Sequence, residues 1–273
     1  MIGGNGFLGK TLKRLEVFKD HDITTLTSEG ILERCQGVSS KTRETIDNLS
    51  THFDVVINLS RARERVNYER ARESDFFTPF EVITKTADSK TLIINFSTYI
   101  QFYEIPITSR QFEYQQSKIE LSKQVDLLSR DLGLRKIDLT LFTLYGEDDS
   151  LKSMMSRFLK ELAGGSQFAL SPGQQLISWT YASDIARVLK IILSDESIAG
   201  NFRLWPEPPQ RLQDTFEYLS KRYNPNMVLD WSAHKYSGHE LFQYDANIFP
   251  QLFENFRFTE FDTAIDSIMQ DYL

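Results

Sequence analysis

The first nine residues, Met1-Ile2-Gly3-Gly4-Asn5-Gly6-Phe7-Leu8-Gly9, constrain the chain most. This G-x-x-G-x-x-G run leads into Lys10-Thr11-Leu12-Lys13-Arg14-Leu15, where Leu12 and Leu15 share one helical face. Glycines at this spacing let a backbone turn lie against a diphosphate, because no Cβ stands in the way. The helix behind the turn points its positive end at the phosphates. A glycine run alone also fits a flexible tail, so the rest of the chain has to supply the other parts of a dinucleotide site.

Residues 22–27 read as a strand. Phe53-Asp54-Val55-Val56-Ile57-Asn58-Leu59 is the clearest buried strand, a continuous apolar, β-branched run of the kind found where both faces of a parallel sheet are covered. A charged and then aromatic helix is expected over 67–85, and a second buried strand over 91–97 that ends in hydroxyls. A helix over 112–128 and a strand over 137–144 follow, the strand running into Tyr145-Gly146. Strands alternating with helices imply an α/β fold with a mainly parallel, doubly wound sheet. Ligands of such sheets bind beyond the carboxyl ends of the strands. The glycine turn, Leu59-Ser60, Ser97-Thr98 and Leu144-Tyr145-Gly146 all fall at such ends, on one rim. Past Gly146 the pattern changes, with a helix over 150–163, a break at Gly164-Gly165-Ser166 and a strand and helix over 178–194. The expected division is a dinucleotide-binding core of 1–146, to which 177–200 return, and a smaller C-terminal substrate-binding lobe of 147–176 and 201–273.

At 273 residues with 41% apolar and 25% charged side chains, the chain can bury a core of this size. A net charge of −7 argues against a general nucleic-acid binder. Cys35 is the only cysteine, which rules out an internal disulfide and a cysteine-based metal cluster. The four histidines, His21, His52, His234 and His239, show no tight ligand spacing, so no metal site is expected. There is no apolar stretch long enough to span a bilayer and no signal-peptide pattern, so no membrane partner is expected and the cytoplasm is the expected compartment.

Tyr114-Gln115-Gln116-Ser117-Lys118 holds the only Tyr-x-x-x-Lys of the chain. Four residues apart at the start of a helix, the two side chains share a face. An ammonium beside a phenol stabilises the phenolate, which suits a tyrosine that must exchange a proton with a reacting oxygen. The lysine can also hold ribose hydroxyls. The preceding strand ends in Ser97-Thr98, where a hydroxyl can orient a substrate oxygen.

Together these motifs resemble an extended short-chain dehydrogenase/reductase, the NAD(P)-dependent epimerase/dehydratase family that acts on nucleotide sugars. Gly3 to Gly9 match its glycine fingerprint, Asp54-Val55-Val56-Ile57-Asn58-Leu59 its fourth strand, and Ser97-Thr98, Tyr114 and Lys118 its catalytic set. Leu144-Tyr145-Gly146 matches its Val-Tyr-Gly turn, and Trp179-Thr180-Tyr181-Ala182-Ser183-Asp184-Ile185-Ala186 resembles its later strand-to-helix segment. The resemblance implies a Rossmann-type core. It makes Thr98 or Ser97, Tyr114 and Lys118 the catalytic candidates. Its implied cofactor contacts are Gly3, Gly6, Phe7, Leu8, Gly9, Ser28, Leu59, Ser60, Tyr114, Lys118, Phe142 and Leu144. It also implies a homodimer formed through the Tyr114 helix and its predecessor.

Departures from the family pattern narrow the expectation. Dehydratases of the family carry Asp-Glu after the catalytic threonine; here Tyr99-Ile100 follow Thr98, so dehydration is not expected. Nucleotide-sugar members carry an arginine that clamps the diphosphate where this chain has Ile177, and Arg157 or Arg203 are the candidate substitutes. Ser28 stands where an acid would bind the ribose of NAD, which favours NADP, with NAD possible. Arg34 and Arg61 are nearby cations, read mainly as surface charge. Only Met1 and Ile2 precede the glycines, so a stunted first strand with unpaired neighbours and weak cofactor binding is expected. The favoured function is NAD(P)H-dependent reduction of a keto group on a 4-keto-6-deoxy nucleotide sugar. The alternatives are an NAD-dependent nucleotide-sugar epimerase and a non-catalytic dinucleotide-sensing protein of the same fold.

Overall fold

The computed structural model describes residues 1–26, 52–61, 68–109, 111–149, 153–206, 208–235 and 256–272. In chain order, α1 (Phe7–Arg14) precedes β1 (Val55–Asn58), and a helical run α2 is built from Tyr68–Arg72, a π-helical turn Glu73–Phe77, and Thr78–Thr86. Then come β2 (Leu92–Thr98), a short 3-10 turn Tyr99–Phe102, α3 (Phe112–Leu132), β3 (Arg135–Leu141) and β4 (Thr143–Tyr145). The second half holds α4 (Met154–Leu162), β5 (Gln167–Ala169), β6 (Leu176–Ile177), β7 (Trp179–Tyr181), α5 (Ala182–Ser194) and β8 (Gly200–Leu204). Last are β9 (Gln210–Arg211), α6 (Leu212–Tyr223), β10 (Val228–Asp230) and α7 (Phe261–Met269).

The main sheet is parallel throughout, in the order β1-β2-β3-β8. The fold is therefore the doubly wound α/β arrangement that the strand-helix alternation implies. Strand β8 pairs with β3 from Ile137↔Gly200 to Leu141↔Leu204, so residues 201–204 lie in this sheet.

Ahead of α1, Ile2 bridges Leu26 on one side and Asn58 on the other, both in parallel. The Ile2 N–H donates to the Ile57 carbonyl at 2.9 Å, and the Ile2 carbonyl accepts from the Leu59 N–H at 3.0 Å. On the far side the Leu26 N–H donates to the Met1 carbonyl and the Gly3 N–H to the Leu26 carbonyl, each at 2.9 Å. Two residues thus suffice to hang the glycine turn in the sheet. At the stub itself the Ile2 backbone is paired on both sides. Of the strand read over 22–27, only Leu26 makes a bridge, and Thr27 lies outside the described residues.

The two faces of the sheet differ. Ile57, Ile94, Phe96, Ile137, Leu139, Leu141 and Leu204 face α1 and α5, joining Leu8, Leu12, Ile185, Val188 and Leu189 in one apolar cluster. On the other face Val56 and Ile93 pack with Val82, Ile83, Leu121 and Val125 of α2 and α3. Further along the same face, toward the carboxyl ends, the side chains turn polar: Asn58, Asn95, Ser97, Asp138 and Thr140 are all buried. A separate aromatic-rich cluster, with Phe158 stacked on Phe216 at 3.9 Å between centroids, packs α4, α6 and α7 around β7.

Candidate active site

The glycine turn fits a diphosphate in its backbone geometry. Gly3 has φ +74°, a conformation that side chains disfavour, and a Cβ there would stand 3.0 Å from the Leu59 carbonyl. A Cβ on Gly9 would stand 2.4 Å from the Gly4 carbonyl oxygen, so α1 can pack this close to the turn only with glycine there. The helix cap is Gly6, which offers no side-chain acceptor to the first N–H groups of α1. The first backbone bond inside the helix is Lys10 N–H to the Gly6 carbonyl at 3.0 Å, so the N–H groups of Phe7, Leu8 and Gly9 have no acceptor within the helix. These donors at the positive end of a helix suit phosphate oxygens. Phe7 sits against the turn after β4, since a Cβ on Gly146 would lie 3.3 Å from its ring. The far end of α1 is tied to the same turn: Arg14 donates to Asp148 at 2.8 Å and to Glu147 at 3.2 Å.

Tyr114 and Lys118 lie one turn apart on α3, both buried, with the Lys118 ammonium 6.0 Å from the centre of the Tyr114 ring. Lys118 Nζ donates to the Ser60 carbonyl at 2.8 Å and to the Phe96 carbonyl at 3.4 Å. It therefore sits between the carboxyl ends of β1 and β2. Two of its three N–H groups are used in these bonds, and the third suits a ribose hydroxyl. The Arg61 guanidinium lies 5.7 Å from the Tyr114 ring centre, which places this cation beside the tyrosine.

Ser97 and Thr98 are neighbours on β2 and so face opposite sides of the sheet. The Ser97 hydroxyl lies 3.0 Å from the Ser122 hydroxyl of α3, inside the polar half-face. Thr98 caps the 3-10 turn by accepting from the Ile100 N–H at 3.5 Å. Gln115, next to Tyr114, donates to the Ile100 carbonyl at 2.7 Å and also to the Tyr103 carbonyl, pinning that turn to α3. Tyr99 stacks on Phe142 with centroids 3.7 Å apart, and Phe142 meets Trp205 edge-on. An aromatic wall thus follows Thr98 where the dehydratase acids would stand.

Among the other expected cofactor contacts, Leu8 is buried in the α1–α5 cluster, and Phe7, Leu59 and Leu144 pack against that cluster. The Ser60 hydroxyl is buried with no partner among the described residues. Phe142 lies in the aromatic cluster of the second half. Ser28 and Arg34 lie outside the described residues. Of the candidate diphosphate cations, Arg203 stacks near Trp205 at 5.7 Å and Arg157 near Phe168 at 5.8 Å. Sequence reasoning missed Arg61 as a neighbour of Tyr114, the Gln115 anchor and the buried polar half-face. Asn95 and Asp138, an amide and a carboxylate each flanked by apolar residues within a strand, are the readable signal for the last.

Several solved structures share this fold over nearly the whole chain. A UDP-glucuronic acid 4-epimerase from Bacillus cereus, in complex with UDP-glucuronic acid and NAD, superposes with TM-score 0.72 at 15% identity, covering 99% of this chain and 97% of that one. DesIV, a dTDP-glucose 4,6-dehydratase from Streptomyces venezuelae, gives 0.71 at 14%, covering 99% and 95%. RMD from Pseudomonas aeruginosa, complexed with NADPH, gives 0.68 at 12%, covering 99% and 98%. No curated protein matches the chain in sequence. Among the described residues no helix is long and apolar enough to cross a membrane. A family model spans residues 1–202, three quarters of the chain and every candidate residue named above on the rim, and by it this protein belongs to the NAD dependent epimerase/dehydratase family.

Proposed function

We propose that the protein is a nicotinamide-dinucleotide-dependent reductase of a keto group on a nucleotide-linked 4-keto-6-deoxy sugar. The observation that carries this reading is the placement of Lys118 Nζ, 2.8 Å from the Ser60 carbonyl and one helical turn from Tyr114, at the strand ends next to the glycine turn. Gly3, Gly6 and Gly9 with the opening N–H groups of α1 would hold the diphosphate, and Lys118 the nicotinamide ribose. When bound, the reduced dinucleotide supplies the hydride that adds to the carbonyl carbon. Tyr114 gives its hydroxyl proton to the carbonyl oxygen as the bond order falls, so the product leaves as an alcohol. Lys118 stabilises the phenolate that remains on Tyr114, and solvent returns the proton. Thr98, at the carboxyl end of β2, donates to the same oxygen and orients it. Tyr99 and Ile100 carry no carboxyl group beside Thr98, which supports reduction over dehydration.

NADPH is the preferred reductant in this reading, because the expected ribose-binding acid is a serine at position 28. The division into a dinucleotide core and a substrate lobe, with Trp205 of the lobe meeting Phe142 of the core in the aromatic wall, is part of the same proposal. So is a homodimer through α2 and α3, supported by exposed Phe77 and Leu127 on those helices, at 47% and 51%. A second reading, nucleotide-sugar epimerase, uses the same Tyr114, Lys118 and Thr98 with a retained NAD, and family membership favours it equally.

The test is to incubate purified protein with NADPH or NADH and a panel of UDP- and dTDP-linked 4-keto-6-deoxy sugars, following loss of reduced-nicotinamide absorbance. Stoichiometric loss with a keto sugar supports the reductase. Interconversion of UDP-glucose epimers without net absorbance change supports the epimerase. Dinucleotide binding with neither reaction overturns both in favour of a sensing role.

A further inference from the structure

One buried carboxylate, Asp138, stands in the middle of the polar half-face and is 3% exposed. A carboxylate has no proton to give, so each hydrogen-bonding neighbour must donate to it. Its Oδ2 receives Asn95 Nδ2 at 3.0 Å and the Ser122 hydroxyl at 2.8 Å, and the Lys136 ammonium lies 3.5 Å away. This fixes the direction of every bond beyond it. With its amino group turned to Asp138, Asn95 presents its oxygen the other way, where it accepts from Asn58 Nδ2 at 2.8 Å. Asn58 then keeps its own oxygen for the Ser60 N–H at 3.1 Å. The carbonyl of that same Ser60 accepts from Lys118 Nζ at 2.8 Å. A side branch obeys the same order: Ser122 has donated to Asp138, so Ser97 donates to Ser122 at 3.0 Å and accepts from Asn95 at 3.3 Å.

We propose that Asp138 is a positioning residue for Lys118, acting through Asn95, Asn58 and Ser60 to hold the ammonium at the end of β1. The inference rests on the reading above that Lys118 meets the dinucleotide. The Ser60 N–H, which can only donate, orients Asn58 from one end of the line and Asp138 orients Asn95 from the other, so a hydrocarbon at 138 leaves the line held at one end only. Asn95 then turns or shifts without its charged acceptor, Asn58 loses a fixed partner, and the segment that carries the acceptor of Lys118 is held less firmly. An asparagine at 138 preserves the order. Its oxygen can stay at the Oδ2 position, and its amino group takes the place of Oδ1, which has no partner among the described residues.

The experiment titrates NADPH and NADH against wild type, Asp138→Val, Asp138→Asn, Lys118→Met and the double variant Asp138→Val with Lys118→Met, reading protein fluorescence, with circular dichroism to verify folding. Asp138→Val is expected to weaken binding about tenfold, the scale of one well-placed bond to a charged group. Asp138→Asn should remain within about threefold of wild type. In the Lys118→Met background, Asp138→Val should cause no further loss, because the lever has nothing left to move. If Asp138→Val does not fold, Asn95→Ala cuts the line and leaves the carboxylate with Ser122 and Lys136; the same loss and the same non-additivity are then expected. Full affinity in the two line-breaking variants, or an equal loss with and without Lys118, overturns the positioning role alone. A wild type that binds neither dinucleotide overturns the proposed function and this inference with it.

Discussion

The two faces of the main sheet carry different burdens. Under α1 and α5, residues 57, 94, 96, 137, 139, 141 and 204 are hydrocarbon without interruption. Under α3 the hydrocarbon stops halfway, and Asn58, Asn95, Ser97, Asp138 and Thr140 take over toward the carboxyl edge. Burying an amide or a carboxylate in a sheet adds nothing to stability unless each is satisfied, and replacing such groups by hydrocarbon is often neutral or better. The polar half-face is therefore poorly explained by folding alone. It lies directly behind Tyr114 and Lys118, and its bonds end on the carbonyl that Lys118 uses. The comparison teaches that one face chiefly holds the fold, while the other gives up some apolar burial to fix directions at the rim.

Five changes would break or sharpen that division. The largest effect is expected at the rim itself: Tyr114→Phe should reduce turnover about 10²- to 10⁴-fold while dinucleotide affinity stays within about twofold. Steady-state rates and fluorescence titration read the two quantities separately, and retained turnover would remove Tyr114 as the acid. Next, Leu139→Ala on the apolar face, at 0% exposure, should cost about 2–5 kcal/mol in denaturant unfolding. The protein that remains folded should bind dinucleotide as wild type does, whereas Asn95→Ala should cost less stability, about 1–3 kcal/mol, and still lose affinity. Equal loss of affinity in both would erase the contrast between the faces. Gly9→Ala puts a methyl group 2.4 Å from the Gly4 carbonyl oxygen, so backbone must shift. A stability loss of about 1–3 kcal/mol and the disappearance of measurable dinucleotide binding are expected together. The smallest effect belongs to Arg14→Ala. Its side chain is 42% exposed, so losing its pairs with Glu147 and Asp148 should cost under about 1 kcal/mol in thermal melts, less still in high salt.

Much of this was readable in the chain. The glycine run, the apolar strand through Val55, Val56 and Ile57, and the Tyr114–Lys118 spacing depend on local rules: φ freedom, strand burial and helical periodicity. Such rules act between residues close in sequence, so the amino acids state them directly. The pairing of the first strand is not readable in the same way, for the opposite reason. What Ile2 bonds to depends on Leu26 and Asn58, which are distant in sequence and lie on either side of it. Arg61 is exposed, as its reading as surface charge implies, and its approach to the Tyr114 ring is a contact between residues far apart in sequence that only the fold supplies.

By itself, then, the sequence determined a parallel α/β core, a glycine turn shaped for phosphate, and a phenol and an ammonium on one helical face. Only the tertiary structure decided where that ammonium rests, that Ser97 turns inward to Ser122 while Thr98 caps the next turn, and that Asn58, Asn95 and Asp138 form one directed line. The physical reason is that hydrogen-bond direction is set by which donors and acceptors meet in space. The register of β1, β2 and β3 brings these three together, and no spacing along the chain encodes it.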